Sequence, residues 1–362
     1  MSSLPLSGAT GSPDPREILA REQHVAAWLW RGEEPQPHGG PAGALRQGLS
    51  VAVCTYRRSA SVERFLDSLA TQGGRADLLV IVDASPDDET ERAVRTYPYP
   101  DRLSRSLLYC RVTGPLKGLT RQRNFAMRWV ETDLVAFFDD DVVLLPGCCM
   151  EMERAHRAEG EVTAGVGAVL ENEMRAPNGL WRMRRLLGVV PTLEPGRYCR
   201  SGMSTPWDFL EPTGKWVEGD WLPGCAMMWK TAVVREIRFN ERFGGYANGE
   251  DLEFSLKALR WGRLVVAGGA RALHLHETAG RPDSFQMGYG TVANALEIHR
   301  RCLDGRRRRD VAYFAYAYGI DTLIRGLAVA RPTGAAARLG FVRGRVGFLR
   351  EVLRRTPIDA GG

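Results

Sequence analysis

No glycine-rich loop follows the first apolar segment of this chain: Val51, Ala52, Val53 and Cys54 lead directly into Thr55, Tyr56, Arg57 and Arg58. The dinucleotide fingerprint and the P-loop are thereby excluded, and any nucleotide must be held by other means. Cysteine is sparse. The seven, at 54, 110, 148, 149, 199, 225 and 302, contain no CxxC pair, which argues against a disulfide scaffold or structural zinc and fits a reducing, cytoplasmic compartment. No basic stretch followed by an apolar core opens the sequence, so no signal peptide is expected. Apolar runs of membrane-spanning length are missing too. Residues 311–330 come nearest, but Asp321 and Arg325 interrupt them, and we expect this stretch to lie on or pack against something. Recognition helices, zinc-finger spacing and aromatic RNA-binding motifs are likewise missing, so no nucleic-acid partner is expected.

What is present is a globular composition of 362 residues, 44% hydrophobic, enough for one large domain with additions or two smaller ones. The net charge of +6 suits several anionic partners. Its densest run, Arg306–Arg309, precedes Tyr313, Phe314, Tyr316 and Tyr318, a pairing suited to an anionic membrane surface, peripheral on its cytoplasmic face. Residues 1–45 are rich in Gly, Pro and Ser around one expected helix, Arg16–Arg31, and read as a partly disordered N-terminal extension. Apolar segments then alternate with helical ones. Strands are expected at 50–54, 78–82, 107–112 and 134–138, with helices at 61–70, 88–95 and 119–130. This is an α/β pattern: a mostly parallel, Rossmann-like sheet flanked by helices over 46–280, with a C-terminal helical region over 281–362.

Sheets of this kind bind ligands outside the carboxyl ends of their strands, and three strand ends carry chemistry. Asp139, Asp140 and Asp141 close the run Leu134–Phe138. Alternation along the strand sends Asp139 and Asp141 to one side and Asp140 to the other, and three neighbouring carboxylates call for a cation such as Mn²⁺ or Mg²⁺, which suits diphosphates. Thr55, Tyr56 and Arg58 offer an aromatic face and a basic group to a base and a phosphate. Asp83 can accept from a ring N–H, while Ser85–Asp88 also read as a helix N-cap. Lys117–Asn124 opens a helix whose N–H groups and basic side chains can face a diphosphate, although Arg121 reads as an ordinary surface arginine. Glu250 and Asp251 start another helix. Acids there favour the helix dipole, so capping competes with a role for Asp251 as general base. His274 and His276, two apart on an expected strand, point to one side and can add a nitrogen ligand to a metal. The irregular stretch 174–215 is long enough to be functional.

Taken in order, Val51–Tyr56, Asp83–Ser85, Gly118–Asn124, Phe137–Asp141, Trp221–Met228, Gly249–Asp251 and His274–His276 resemble glycosyltransferase family 2, over about residues 49–280. The resemblance implies a GT-A fold and an inverting, metal-dependent transfer of a sugar, of the hexosyl or deoxyhexosyl class, from a nucleoside diphosphate sugar to an acceptor hydroxyl. It implies that Asp251 is the base with Glu250 its acidic neighbour, and that Trp221, Gly224 and Cys225 form the acceptor-side wall. Thr55, Tyr56, Arg58, Asp83, Ser85, Arg123, Asn124, Asp139 and Asp140 would then line the nucleotide-sugar site, with Asp141, Asp139 and one of His274 and His276 holding Mn²⁺ or Mg²⁺. The acceptor would be a glycan, a lipid-linked molecule or a small molecule. Val82 and Ala84 depart from the family's pattern, which bears on the base contact. Two other readings remain open: a GT-A-like nucleotide-sugar-binding scaffold without turnover at a membrane surface, and a sugar nucleotidyltransferase. Retention of the acids counts against the first, and the missing glycine-rich triphosphate loop against the second.

Overall fold

The computed structural model describes residues 23–32, 45–158, 162–211, 214–243, 247–278, 282–302, 308–327, 329 and 334–355. Its strands are β1 (Val25–Gly32), β2 (Arg46–Thr55), β3 (Ala76–Asp83), β4 (Ser104–Val112), β5 (Thr132–Asp139), β6 (Val142–Leu144), β7 (Thr163–Leu170), β8 (Trp216–Gly219), β9 (Ala226–Lys230) and β10 (Arg263–His274). They form one sheet in the order β1-β4-β3-β2-β5-β9-β7-β10-β6, with β8 paired to β10. The run β4-β3-β2-β5 is parallel throughout. Beyond β5 the sheet is mixed, because β9 runs antiparallel to both of its neighbours while β10 is parallel to β7.

Apolar residues on successive positions of one strand serve two different cores. On β5, Leu134, Ala136 and Phe138 face one layer, with Val62, Phe65 and Leu66 of helix Ser59–Leu69 and Met152 of helix Cys148–Arg157. Val135 and Phe137 face the other, with Phe125, Val233 and Phe254 from helices Leu119–Ala126, Thr231–Ile237 and Glu250–Ala258. A strand buried on both faces reads as an unbroken apolar run, which is why β2, β3 and β5 were visible in the sequence. Each fully buried side chain of this size contributes about 1.5–3 kcal/mol.

The N-terminal expectation needs correction. Residues 16–22 lie outside the described residues, but 25–31 form a strand instead of a helix, with Trp28 opposite Cys110 and Trp30 opposite Leu108. The edge of β4 offers its N–H and C=O groups, and the segment 25–32 satisfies them, its Trp28 and Trp30 suiting a strand although Ala26, Ala27 and Leu29 favour a helix. The stretch 174–215 is also less irregular than expected: it contains helix Gly179–Leu186, capped by Asn178, and a 3₁₀ turn at Trp207–Phe209.

Three helices, Ser284–Cys302, Arg308–Leu327 and Ala335–Arg355, close the chain. Among the described residues no helix is long and apolar enough to cross a membrane. The charges that interrupt 311–330 have a packing role. Asp321 is 1% exposed and meets Arg184 at 2.6 Å, Arg325 at 2.8 Å and Arg345 at 2.9 Å. One buried carboxylate therefore joins helix Gly179–Leu186 to two of the C-terminal helices. Removing one member of a buried ionic cluster leaves uncompensated charge. Asp321→Ala is accordingly expected to cost about 3–5 kcal/mol in chemical denaturation; a loss of about 1 kcal/mol or less, the worth of a surface pair, would show that the cluster is not structural.

His156, 8% exposed on helix Cys148–Arg157, lies 3.0 Å from the Met228 carbonyl through Nε2. Burial pushes its pKa down to about 4 from an ordinary 6.5. Unfolded chains therefore take up a proton that the folded chain refuses, so this contribution is fully present above about pH 6.5 and is lost as pH falls towards 4. The gap of about 2.5 pH units corresponds to about 3 kcal/mol. The expected result is a steeper loss of stability between pH 6.5 and 4 in the wild type than in His156→Gln; parallel stability curves would remove His156 from the acid response.

Candidate active site

β5 delivers the acids. Asp139 is its last residue, and the chain turns through Asp140 and Asp141 into β6, which pairs antiparallel with the end of β10 so that His274 lies opposite Val142. This pairing brings His274 Nε2 to 3.3 Å from Asp141 Oδ1. Oxygens of Asp139 and Asp141 and a nitrogen of His274 all lie within 4.8 Å of one another. Two carboxylates and an imidazole converging this closely fit a divalent ion of the Mn²⁺ or Mg²⁺ kind. Ligand atoms of a second trio, Glu173, His274 and His276, likewise lie within 4.8 Å of one another.

Asp140 points elsewhere, as strand alternation requires. It accepts from Thr55 Oγ1 at 2.5 Å and from Arg58 at 2.9 Å, and it is 3% exposed. Burial pushes its carboxyl up, to about 7, against the pull of Arg58 and Thr55. Burial would raise Asp141 too, but its hydrogen bond to His274 and the charges of His274 and Arg58 carry it below the usual carboxylate range. Burial disfavours a charged His274, yet hydrogen bonds with Asp141, Cys225 and Glu173 raise its pKa overall.

The second acidic group begins helix Glu250–Ala258. Glu250 is buried and pairs with Arg123 at 2.9 Å; Asp251 accepts from the Gly224 N–H at 3.1 Å and from the Leu252 N–H at 2.8 Å. Burial and the charge of Asp251 raise the Glu250 pKa, with Arg123 opposing; burial also raises Asp251, opposed by the Leu252 N–H and Arg123. Gly224 is required where it sits. A Cβ there would come within 2.7 Å of the Asp251 Cβ.

Arg123 connects the two groups. At 2% exposure it donates to Glu250, to Asp139 at 3.1 Å and to the Gly224 carbonyl at 2.8 Å, with its guanidinium 5.2 Å from the Phe239 ring centroid. Its side chain is committed within the protein, beneath the cleft. Asn124 is likewise drawn inward, exchanging hydrogen bonds with the Phe239 backbone and donating to Glu241. The structure does not bring Asn124 into the acidic cleft.

Asp83 also lies below the surface, fully buried, accepting from the Ser85 N–H at 2.7 Å and the Tyr109 hydroxyl at 2.9 Å. Ser85 accepts from the Arg57 N–H, and Tyr56 remains 37% exposed with Arg57 over its ring. Arg58 is held by Asp140, Asp141 and the Glu277 carbonyl. Trp221 and Cys225 flank Gly224: the Trp221 carbonyl accepts from Trp207, and the Cys225 carbonyl accepts from the Asp139 N–H. His276 differs from expectation. β10 ends at His274, and His276 lies beyond it with φ +54°, so the two rings meet at 3.9 Å because the backbone turns, not through strand alternation.

Sequence reasoning missed Glu173 and Glu277. Glu173 accepts from both histidines, and the Glu277 N–H donates to Asp141 at 3.0 Å. Glu173 follows an apolar strand, β7, by three residues, the same signal that exposed the aspartate triplet. Glu277 acts through its backbone, for which its side-chain type gives no signal.

Residues 50–204 match the family model for Glycosyl transferase family 2. No curated protein matches the chain. Among solved structures, the mannosyltransferase PcManGT from Pyrobaculum calidifontis, in complex with GDP-Man and Mn²⁺, is 14% identical over 92% of each chain, with a TM-score of 0.49. TarS 1–349 from S. aureus is 16% identical over 86% of this chain and 92% of its own, with a TM-score of 0.43. The same protein in complex with UDP-GlcNAc is 16% identical, covering 85% and 92%, with a TM-score of 0.42. Through the segment 50–204, which contains the aspartate triplet, Arg58, Arg123 and Glu173, this chain resembles the glycosyltransferases of family 2.

Proposed function

We propose that the chain is an inverting enzyme that moves a sugar of the hexosyl or deoxyhexosyl class from a nucleoside diphosphate donor to an acceptor hydroxyl in a single displacement, with Asp251 as general base. One observation carries this: the convergent trio Asp139, Asp141 and His274 is joined to Asp251 through Arg123 and the Gly224 peptide. Asp139, Asp141 and His274 would hold Mn²⁺ or Mg²⁺, which supplies positive charge to the leaving diphosphate. Asp251 takes the acceptor proton as the new bond forms on the face of the anomeric carbon opposite the diphosphate. Glu250, neutralised by Arg123, keeps the helix start in place. Thr55 and Arg58 orient Asp140 for the ribose side, Tyr56 offers its exposed ring to the base, and Asp83 and Ser85 shape the floor beneath it. Trp221, Gly224 and Cys225 border the acceptor. The catalytic unit would span 46–280, with the helical region 281–362 bracing the segment 174–215.

Incubation with a panel of nucleoside diphosphate sugars and Mn²⁺ tests the reading. Release of nucleoside diphosphate supports it, pyrophosphate would indicate a nucleotidyltransferase, and no release with any donor would favour a binding scaffold.

We also propose an anionic membrane surface as a partner. The basic run 306–309 that first suggested it has its side chains outside the described residues. Support comes from its neighbours. Tyr316, Leu323 and Leu327 share one face of helix Arg308–Leu327, and Leu323 and Leu327 are 67% and 74% exposed. The Tyr316 hydroxyl donates to the Leu187 carbonyl, which sets this face beside Leu186, 86% exposed, with Arg182 and Arg185 also exposed. Projecting leucines beside arginines suit a lipid interface. Sedimentation with anionic liposomes at low salt, weakened at high salt by screening and by Leu323→Glu, is the expected result; no binding at low salt would end this proposal.

A further inference from the structure

The turn at Glu171–Glu173 grips one histidine from two directions. Asn172 accepts from the His274 N–H at 2.9 Å and donates to the His274 carbonyl at 2.8 Å, so the backbone of the last β10 residue is clipped on both sides. Next in sequence, Glu173 Oε1 lies 2.8 Å from His274 Nδ1. The other ring nitrogen, Nε2, faces Asp141 at 3.3 Å. His276 directs its Nε2 to the same Glu173 oxygen, at 2.7 Å, and is 50% exposed, whereas His274 is 16% exposed.

We propose that Glu173 is a positioning residue that selects His274 over His276 as the metal-binding histidine. This rests on the reading of Asp139, Asp141 and His274 as the site of a divalent cation. A neutral imidazole carries one ring proton, and the nitrogen that holds it cannot ligate a metal. With Nδ1–H donated to the Glu173 carboxylate, the lone pair of His274 stands on Nε2, the nitrogen aimed at Asp141. The carboxylate also makes that nitrogen a better donor and stops the ring from turning, as carboxylates behind metal-bound histidines do elsewhere. Asn172 fixes the height of the ring by holding the backbone. His276 serves on the far side of Glu173, where its contact with the same oxygen holds the carboxylate against His274.

The arrangement has a rival on the same residues. Glu173, His274 Nδ1 and His276 Nε2 converge closely enough to hold an ion themselves, in which case Glu173 and His276 would be ligands and His274 would face the other way. The two arrangements differ in which substitutions change the ligand shell.

The experiment uses the full chain and Mn²⁺ alone, with affinity read from the electron paramagnetic resonance signal of free Mn²⁺ and ligation from its spin-echo coupling to ¹⁵N-labelled histidine. Glu173→Ala is expected to weaken Mn²⁺ binding about 10- to 100-fold, and Glu173→Gln, which keeps an acceptor for Nδ1–H, to weaken it less. Histidine coupling should vanish in His274→Ala and persist in His276→Ala. Unchanged affinity in Glu173→Ala, loss of the coupling in His276→Ala, or histidine coupling that survives in His274→Ala would overturn the assignment, and the last of these would place the ion in the rival trio. Mn²⁺ binding to the wild type that involves no histidine would overturn it as well. A wild type with no Mn²⁺ binding would remove the metal reading and this inference together, an outcome distinct from normal binding that ignores Glu173.

Discussion

Asp251→Asn should lower turnover by about two to four orders of magnitude, the usual worth of a general base, while leaving donor affinity nearly intact. The substitution removes the charge at constant size. Asp251 accepts from the Gly224 N–H through Oδ2 at 3.1 Å and from the Leu252 N–H through Oδ1 at 2.8 Å, and an asparagine Oδ1 keeps one of these contacts, so a circular-dichroism and thermal-stability check accompanies the kinetics. What the asparagine cannot do is take a proton. Glu250 is no substitute, because it is buried and bound to Arg123. Steady-state kinetics with donor titration checks the outcome: a variant retaining more than about a tenth of the wild-type rate would make Asp251 a helix-capping acid.

Asp141→Ala should abolish metal-dependent donor binding. Asp141 stands where β5, β6 and β10 meet, touching His274 through one oxygen and Arg58 and the Glu277 N–H through the other. Its removal takes away a ligand and also leaves Arg58 with one carboxylate fewer. Calorimetric titration of a nucleoside diphosphate with and without Mn²⁺ separates these effects: the metal-dependent increment disappears, and the metal-independent part changes only through Arg58. An increment equal to the wild type's would sink the metal role of Asp141.

Both predictions use acids that were visible in the sequence, and the reason is physical. β5 is buried on both faces, so its apolar run stops abruptly where the chain meets solvent, and the charged residues there stand out. The same logic located Thr55, Asp83 and the start of the helix at Glu250. It failed where function and packing use groups without a pattern. β1 is an edge strand whose pairing with β4 outweighs a helix-like composition. His276 reaches His274 by a left-handed backbone turn that spacing alone does not show. Arg123 and Asn124 were expected to line the donor site because basic and amide side chains at a helix start suit phosphate, but the buried carboxylates and carbonyls beneath the sheet edge claim them first. Glu173 comes from a strand paired beside β10, and only the three-dimensional sheet order makes it a neighbour of the histidines.

The joint at Gly224 has a consequence for how this site is dissected. Its N–H holds Asp251 and its C=O holds Arg123, so the distance between the two acidic groups is spanned partly by main chain, through groups that flank a single α-carbon. Side-chain scanning cannot delete such a spacer: replacing Gly224 adds a collision without removing either hydrogen bond donor or acceptor. An ester in place of the Gly224 amide would remove the N–H alone, turning a question about spatial coupling between the two acidic groups into one of atomic substitution in the backbone.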